Sequence, residues 1–515
     1  MTRRERKTPT NRRTLLKTTG AAFGAGVLGL GGTTSAAAAS NYDTYEYHST
    51  APAPGVQELV VHGRWAFCAT NGAITTVDLR EPSLPRTAAR VRGDHDGDSL
   101  DVKVDDYVTA SGERRTVAIL THNSGDAGIS VFDVTDPANP AYLTFFPTVD
   151  DIHNTFLKDG YTYLTVTDSF DHSRMVVVDV TDPENPTTLE GEGDYANGTE
   201  VPDEERGTGG SWMLRDARKD MANANVNPLH DIWVADHADG ELAYLCYWEA
   251  GVVVDVSGEP GTERTGSPVH AATKTNPVAV AHFGAVEYAD GDAPSTVKYA
   301  NGGEKSNAHY AQPTPDGAYT FVGAETFGGT AHEELGATGD HGGIRVFDSR
   351  AVDLLSGDGV AIYPEADGVT RLPTTKKDTM EEGVPLQRST DQRHPENPVD
   401  LVAYVDAPDQ PDDAALTSHN FDVTETKLFT SWYQGGVRAF DLGPLYAGED
   451  YSTVPAAASD IEPPTELAAF APDGTAFWTA ENLAAEQGAT YYTVASDIGK
   501  GATVLELTEG LQALP

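Results

Sequence analysis

One phrase occurs twice almost unchanged, "ISVFDVTDPANP" (129–140) and "MVVVDVTDPENP" (175–186). Each is a β-branched, apolar run of strand length closed by an Asp-Pro turn. Each also sits in the same surroundings. Upstream lies a second strand rich in aromatic and β-branched residues, entered from an Asp-Gly or equivalent turn. Downstream the turn leads to a further short strand. The whole unit reads as four strands, and it is visible in 64–91, 116–146 and 160–191. Looser copies follow at 243–258, 318–350 and 427–443, and a degenerate one at 471–509.

Seven four-stranded units of one plan imply radial repetition, because one such unit cannot bury both its faces alone. The expected fold is therefore all-β, a β-propeller of seven four-stranded blades. Its units run at about 55–95, 96–148, 149–227, 228–305, 306–415, 416–464 and 465–510, within a single domain over 41–515. An open sandwich or two smaller β domains is the alternative. The stretch "NYDTYEYHS" (41–49) is available as a closing strand. Insertions at 187–227, 259–305 and 349–415 are expected between the outer strand of one blade and the inner strand of the next. That would gather them on one face, with the 325–341 loop, where binding usually resides.

The phrases "ISVFDVTDP" and "MVVVDVTDP" resemble the LVIVD-repeat family of secreted propellers. That resemblance implies a propeller and an extracytoplasmic location, and no activity. In architecture and histidine content the chain is also similar, more weakly, to the copper- and selenium-binding, methanethiol-oxidising propellers, though no motif is shared.

The first forty residues read as a targeting segment. Arg12 and Arg13 in "NRRTLLK" precede a Gly/Ala-rich apolar stretch and then the small residues "TTSAAAAS" (33–40). This is the pattern of a twin-arginine export signal, cleaved near residue 40. The apolar run is too short and too rich in glycine for a stable membrane anchor. The chain carries 79 acidic against 35 basic residues, a formal charge of −44. That excludes nucleic acid as a partner. Spread evenly and poor in lysine, it reads as a salt-adapted, halophilic surface, with a calcium-rich cell-surface protein as the alternative. The two cysteines, Cys68 and Cys246, make neither a disulfide framework nor a thiolate metal site.

Chemistry is concentrated in one register. His153 precedes the turn residue Asp159 by six, His230 precedes Asp236 by six, and His309 precedes Asp316 by seven. His419 stands at the matching place in "LTSHNFDVTETK". With 15 histidines in 515 residues, four of seven units sharing one histidine register is far from chance. The remaining units offer Val56, Asp98 with Ser99, and Glu466 there. The inner strand of each blade lines the channel, so these four imidazoles are expected to converge at its mouth. Histidine without thiolate suits copper, zinc or iron, with Glu466 or Asp98 as additional carboxylate ligands. A hydrogen-bonded plug of structural histidines is the competing reading.

The loops between second and third strands are expected to ring the same mouth. They contribute His172, Trp248, His332, His341, Trp432 and Tyr433 as ligand-facing residues, with Glu325 and Glu249 as candidate acid/base groups. Three functions stay open: a metal-binding surface or secreted protein that recognises a ligand, a copper-type oxidoreductase, and a non-catalytic scaffold. The aspartates of "DHDGDSLDVKVDD" (94–106) are a poor match to a calcium loop, since Ser99 replaces the required glycine.

Overall fold

A computed structural model describes residues 44–95, 97–148, 151–167, 174–189, 211–213, 229–237, 240–247, 250–257, 274, 278–283, 308–325, 343–350, 400–408, 417–446, 462–483 and 491–508. The chain divides into two units, 1–42 and 43–515, the first of which lies outside the described residues. Among the described residues no helix is long and apolar enough to cross a membrane.

The described residues form seven antiparallel sheets, a seven-bladed β-propeller. The inner strands, in chain order, are Val56–His62, Val102–Val108, Asp151–Lys158, Leu229–His237, Tyr310–Pro313, Phe421–Val423 and Phe477–Leu483. Each packs against the inner strands of the blades before and after it, and the seventh meets the first. Six blades are built in sequence order from inside out. The seventh takes its outer strand from the other end of the chain, Thr44–Pro52 paired with Gly501–Thr508.

The repeated Asp-containing phrase has a direct structural cause. In the third strands, Asp133, Asp179, Asp255 and Asp348 each accept through Oδ1 from the backbone N–H two residues on. The donors are Thr135 (2.9 Å), Thr181 (2.8 Å), Ser257 (2.9 Å) and Arg350 (3.0 Å). Asp78 and Asp441 do the same with Arg80 and Gly443. Asp thus turns the chain out of the third strand in six blades. The β-branched run before it is buried on both sides. In "MVVVD", Met175 and Val177 pack toward blade four, while Val176 and Val178 pack toward blade two. That alternation is the period of a strand clamped between two sheets. Each such side chain contributes about 1.5–3 kcal/mol over leaving it exposed.

The outer strands correct the expected placing of the insertions. Val278–Phe283 pairs with Ala250–Asp255, Asp400–Val405 with Ile344–Asp348, and Thr465–Phe470 with Val437–Asp441. Outer strands therefore lie inside the expected insertions 259–305 and 349–415, and at the expected start of the seventh unit. Successive strands reverse direction, so the third strands end, and the fourth begin, at the end of the blade opposite the histidine register. In blade three, Thr187–Thr188 and Ser211–Met213 share the outer position against Arg174–Asp179. The rest of the insertions, and the loop 326–342, lie outside the described residues.

Candidate functional site

The histidines begin the inner strands of blades three to six, where the inner hairpins are irregular. The pairing skips between Ile152 and Thr155 and between Leu229 and Asp231, which releases His153 and His230 from the ladder. In blades five and six the backbone N–H groups of His309 and His419 donate to Gly323 and Ser431 (both 2.9 Å), so each ring projects beyond the last regular pair. A local irregularity of this kind re-aims side chains toward a site.

The four rings form an arc. Centroids are 4.3 Å apart for His153–His230, 4.2 Å for His230–His309 and 4.4 Å for His309–His419, and Trp478 continues the arc 4.1 Å from His419. The Nε2 atoms face inward. His153 Nε2 lies 2.9 Å from His230 Nε2. Glu325 closes the group: its Oε2 is 3.4 Å from His309 Nε2 and 3.9 Å from His230 Nε2, and its Oε1 is 3.9 Å from His419 Nε2. Ligands sharing one ion at about 2.0–2.2 Å lie about 3–4 Å from one another, and the spacings fall in that range. His230, His309 and Glu325 by themselves have the mutual spacing of a metal-ligand set.

Glu325 is held from two sides. Ala324 accepts from Thr417 Oγ1 (2.5 Å) and donates to Ser418 Oγ (3.2 Å), which ties the segment to the chain just before His419. The Tyr433 hydroxyl donates to Glu325 Oε1 at 2.7 Å. Tyr433 has φ 45°, a left-handed conformation that is costly for an aromatic residue. Two backbone hydrogen bonds exchanged with Phe477, both 3.1 Å, hold it there.

Burial sets the charge states. It pushes His309 and His419 well below the ordinary imidazole range, and the neighbouring imidazoles push the same way. Neutral imidazoles keep a lone pair, which is the ligand form. Burial pushes Glu325 up to about 7, against the Tyr433 hydrogen bond, which pulls it down. The Tyr433 phenol is held well above its ordinary value by burial and then by the Glu325 charge.

The convergence of His153, His230, His309 and His419 is thus present, but the carboxylates expected beside them are not. Glu466 lies on the outer strand of blade six, where Arg438 Nη1 donates to it at 2.6 Å. It is removed from the channel because Thr465–Phe470 is an outer strand. Asp98 is exposed, and its Oδ2 accepts from Ser124 Oγ at 3.1 Å. At the histidine register the remaining blades carry Leu100, Gln57 and Trp478, not Asp98 or Ser99, Val56 and Glu466. Trp432, expected on the ligand face, is fully buried in the core with its indole N–H donating to Thr430 Oγ1 at 2.6 Å. Tyr433 is buried as well, directed at Glu325 and not at solvent. His172, Trp248, Glu249, His332 and His341 lie outside the described residues.

Sequence reasoning missed a second, deeper group. Glu58, Asp101 and Asp231 stand one residue beyond the histidine register in blades one, two and four, all buried, with the Lys103 ammonium among them. Lys103 Nζ lies 2.5 Å from Asp101 Oδ1 and 3.5 Å from Glu58 Oε1. The available signal was an acid recurring directly after the shared register, as in "LHD" at 229–231 and "QE" at 57–58.

No protein-family model and no curated protein matches the sequence. Among solved structures, the chain is similar to the β-propeller domain of Myceliophteria thermophila Cps50 (Swd1), with a TM-score of 0.47 at 10% identity over 90% of this chain and 99% of that one. It is also similar to Saccharomyces cerevisiae Sqt1, with a TM-score of 0.41 at 9% identity over 91% and 99%. A Desulfotomaculum acetoxidans protein aligns with a TM-score of 0.39 at 9% identity, over 75% and 83%. These are likenesses of fold alone.

Proposed function

We propose that this is an exported, salt-adapted propeller of the LVIVD-repeat type that binds one transition-metal ion, copper, zinc or iron, at its channel mouth. His153, His230, His309 and His419 would hold it through Nε2, with Glu325 as the carboxylate. The observation that carries this is the gathering of inward-facing imidazole nitrogens from four separate blades around one buried carboxylate. Imidazole with carboxylate is a borderline donor set suited to these metals. The metal would supply Lewis acidity or redox capacity. The protein keeps the imidazoles neutral and orients Glu325 through Tyr433.

A second reading, a metal-dependent oxidoreductase, is favoured by the unequal ring. His309 and His419 are buried, whereas His153, Gln57, Leu100 and Trp478 are part-exposed. Three register positions carry no metal ligand, so an ion held by the histidine arc would face solvent and substrate on that side. Elemental analysis of protein purified in high salt without chelator tests the metal reading. About one transition metal per chain, lost in His309→Ala, supports it. Absence of metal, with His153→Ala and His309→Ala as stable as the parent, would overturn it and leave a non-catalytic scaffold.

A further inference from the structure

The two ends of the ring meet between blades seven and one, and this seam is closed twice. At the rim, Thr44–Pro52 pairs with Gly501–Thr508. At the axis, one side chain crosses it. Glu58, on the inner strand of blade one, is 3% exposed. Its Oε2 accepts from Thr479 Oγ1 of blade seven at 2.8 Å and from Asn420 Nδ2 of blade six at 3.0 Å. Its Oε1 faces blade two, where Lys103 Nζ lies 3.5 Å away. One carboxyl group thus touches three other blades, two of them beyond the seam.

A negative charge on that group is poorly met. The Lys103 ammonium has a nearer partner, Asp101 Oδ1 at 2.5 Å, so those two already form a neutral pair. Ionised, Glu58 is a further buried negative charge beside it. The other ionisable groups around Glu58 are Asp231, Tyr310 and Glu481, from blades four, five and seven, and they supply no cation. A buried charge without a counter-charge of its own is costly, and a proton removes the cost. The proton has a place to sit. Oε2 already takes two donors, whereas Oε1 has only the more distant ammonium. Burial raises Glu58 to about 7, against Lys103, Thr479 and Asn420, which pull it down.

We propose that Glu58 is a pH-operated clasp at the axial end of the seam. With a proton on Oε1 it holds blade one to blades six and seven, and when the proton leaves, the seam loosens. The sign follows from linkage. The folded ring binds this proton more tightly than the unfolded chain does. The clasp's stabilisation is therefore complete below the unfolded value, about 4.5, and is lost as pH rises through about 7. The rim carries a titratable contact of its own, His48 Nε2 to Glu506 Oε2 at 2.7 Å, which the test has to separate from the clasp. The proposal does not rest on the histidine arc holding a metal.

The test compares the full chain with Glu58→Gln between about pH 5 and about pH 8. Glutamine reproduces the neutral clasp, with its amide oxygen in place of Oε2 and its NH2 in place of the protonated oxygen. In denaturant titrations the variant should match the parent at the acid end and be the more stable protein at the alkaline end. Its folding constant relative to the parent should rise about seventyfold across the range. Hydrogen exchange, corrected for its intrinsic pH dependence, gives the place. In the parent, Val56–His62 and Phe477–Leu483 should open about tenfold more readily at the alkaline end, relative to Leu229–His237. That gain should vanish in Glu58→Gln and persist in His48→Gln. A variant-to-parent ratio that stays flat or falls toward the alkaline end overturns the proposal. So does seam exchange that rises equally in Glu58→Gln and parent. The parent's exchange needs no variant, and strands beside the seam that open no more readily at the alkaline end overturn the proposal by themselves.

Discussion

His153 and His230, 77 residues apart and on neighbouring blades, bring their Nε2 atoms to 2.9 Å. At that distance the two nitrogens either share one proton or serve one cation. Protonating both would place like charges in contact. The pair therefore makes a metal-loaded site pH-sensitive from its part-exposed side. Removing His309, the buried member closest to Glu325, should cost more than removing His153. His309→Ala is expected to lower transition-metal affinity by more than about a hundredfold, and His153→Ala by roughly tenfold, on the scale of metal-site perturbations. Competition with a chromogenic chelator gives both numbers.

Tyr433→Phe isolates the hydroxyl that holds Glu325. The hydrogen bond lowers the carboxyl's proton affinity, so its loss leaves Glu325 protonated to higher pH. Metal affinity near pH 7 should then fall about tenfold to a hundredfold, with only about 1 kcal/mol of stability lost. Raising the pH should restore much of the affinity, because the competing proton leaves. Unchanged affinity at every pH would remove Tyr433 from the site.

His122, in blade two, gives the clearest pH signature outside the site. It is buried, its Nε2 lies 2.8 Å from Ser130 Oγ, and burial pushes its pKa from 6.5 down to about 4. The unfolded chain therefore binds the proton more tightly than the folded one between those values. Stability from the neutral ring is complete above the unfolded value and is lost as pH falls toward the folded one. Between about pH 7 and about pH 5 the loss should be about 2 kcal/mol. Denaturant titrations at the two pH values should show it, and His122→Gln should flatten that part of the profile.

Gly501 guards the ring closure. Its φ is +147°, and a Cβ there would stand 2.0 Å from the carbonyl oxygen of Ala51 and 2.5 Å from the backbone nitrogen of Ala53. Both are backbone atoms that cannot step aside. Gly501→Ala should destabilise the protein by about 3 kcal/mol or more. It should also expose the amides of 44–52 to hydrogen exchange before those of blades two to five. Gly63→Ala is a useful control: it shares a positive φ but meets nothing within 4 Å.

The blades and the histidine arc were legible because both repeat. A V-x-D phrase returning in successive units reports a strand, its burial on both faces and the Asp-capped turn that ends it. The register of His153, His230, His309 and His419 could be counted from the turns. Features that depend on where a strand sits within its blade were less legible. Glu466 and Asp98 have the right residue type at nearly the right spacing, yet one belongs to an outer strand and the other is exposed to solvent. Glu325 was visible as a loop acid, but its position under three imidazoles depends on the tie of Ala324 to Thr417 and Ser418, some 93 residues on. Glu58, Asp101 and Asp231 were hidden because the residues before them differ, Gln57, Leu100 and His230, and acids are abundant in this chain.

The pairing of Thr44–Pro52 with Gly501–Thr508 also sets a timetable. A nascent chain whose last strand is still inside the ribosome cannot join its two ends, however well its earlier blades have folded. The channel, with the imidazoles and carboxylates that line it, reaches its final diameter only after synthesis is over. Any ion must then be captured by a finished molecule, in whichever compartment that molecule first closes. Strands from the two ends of the ring meet in one sheet, so truncation into Thr44–Pro52 or Gly501–Thr508 would be felt at the ring closure.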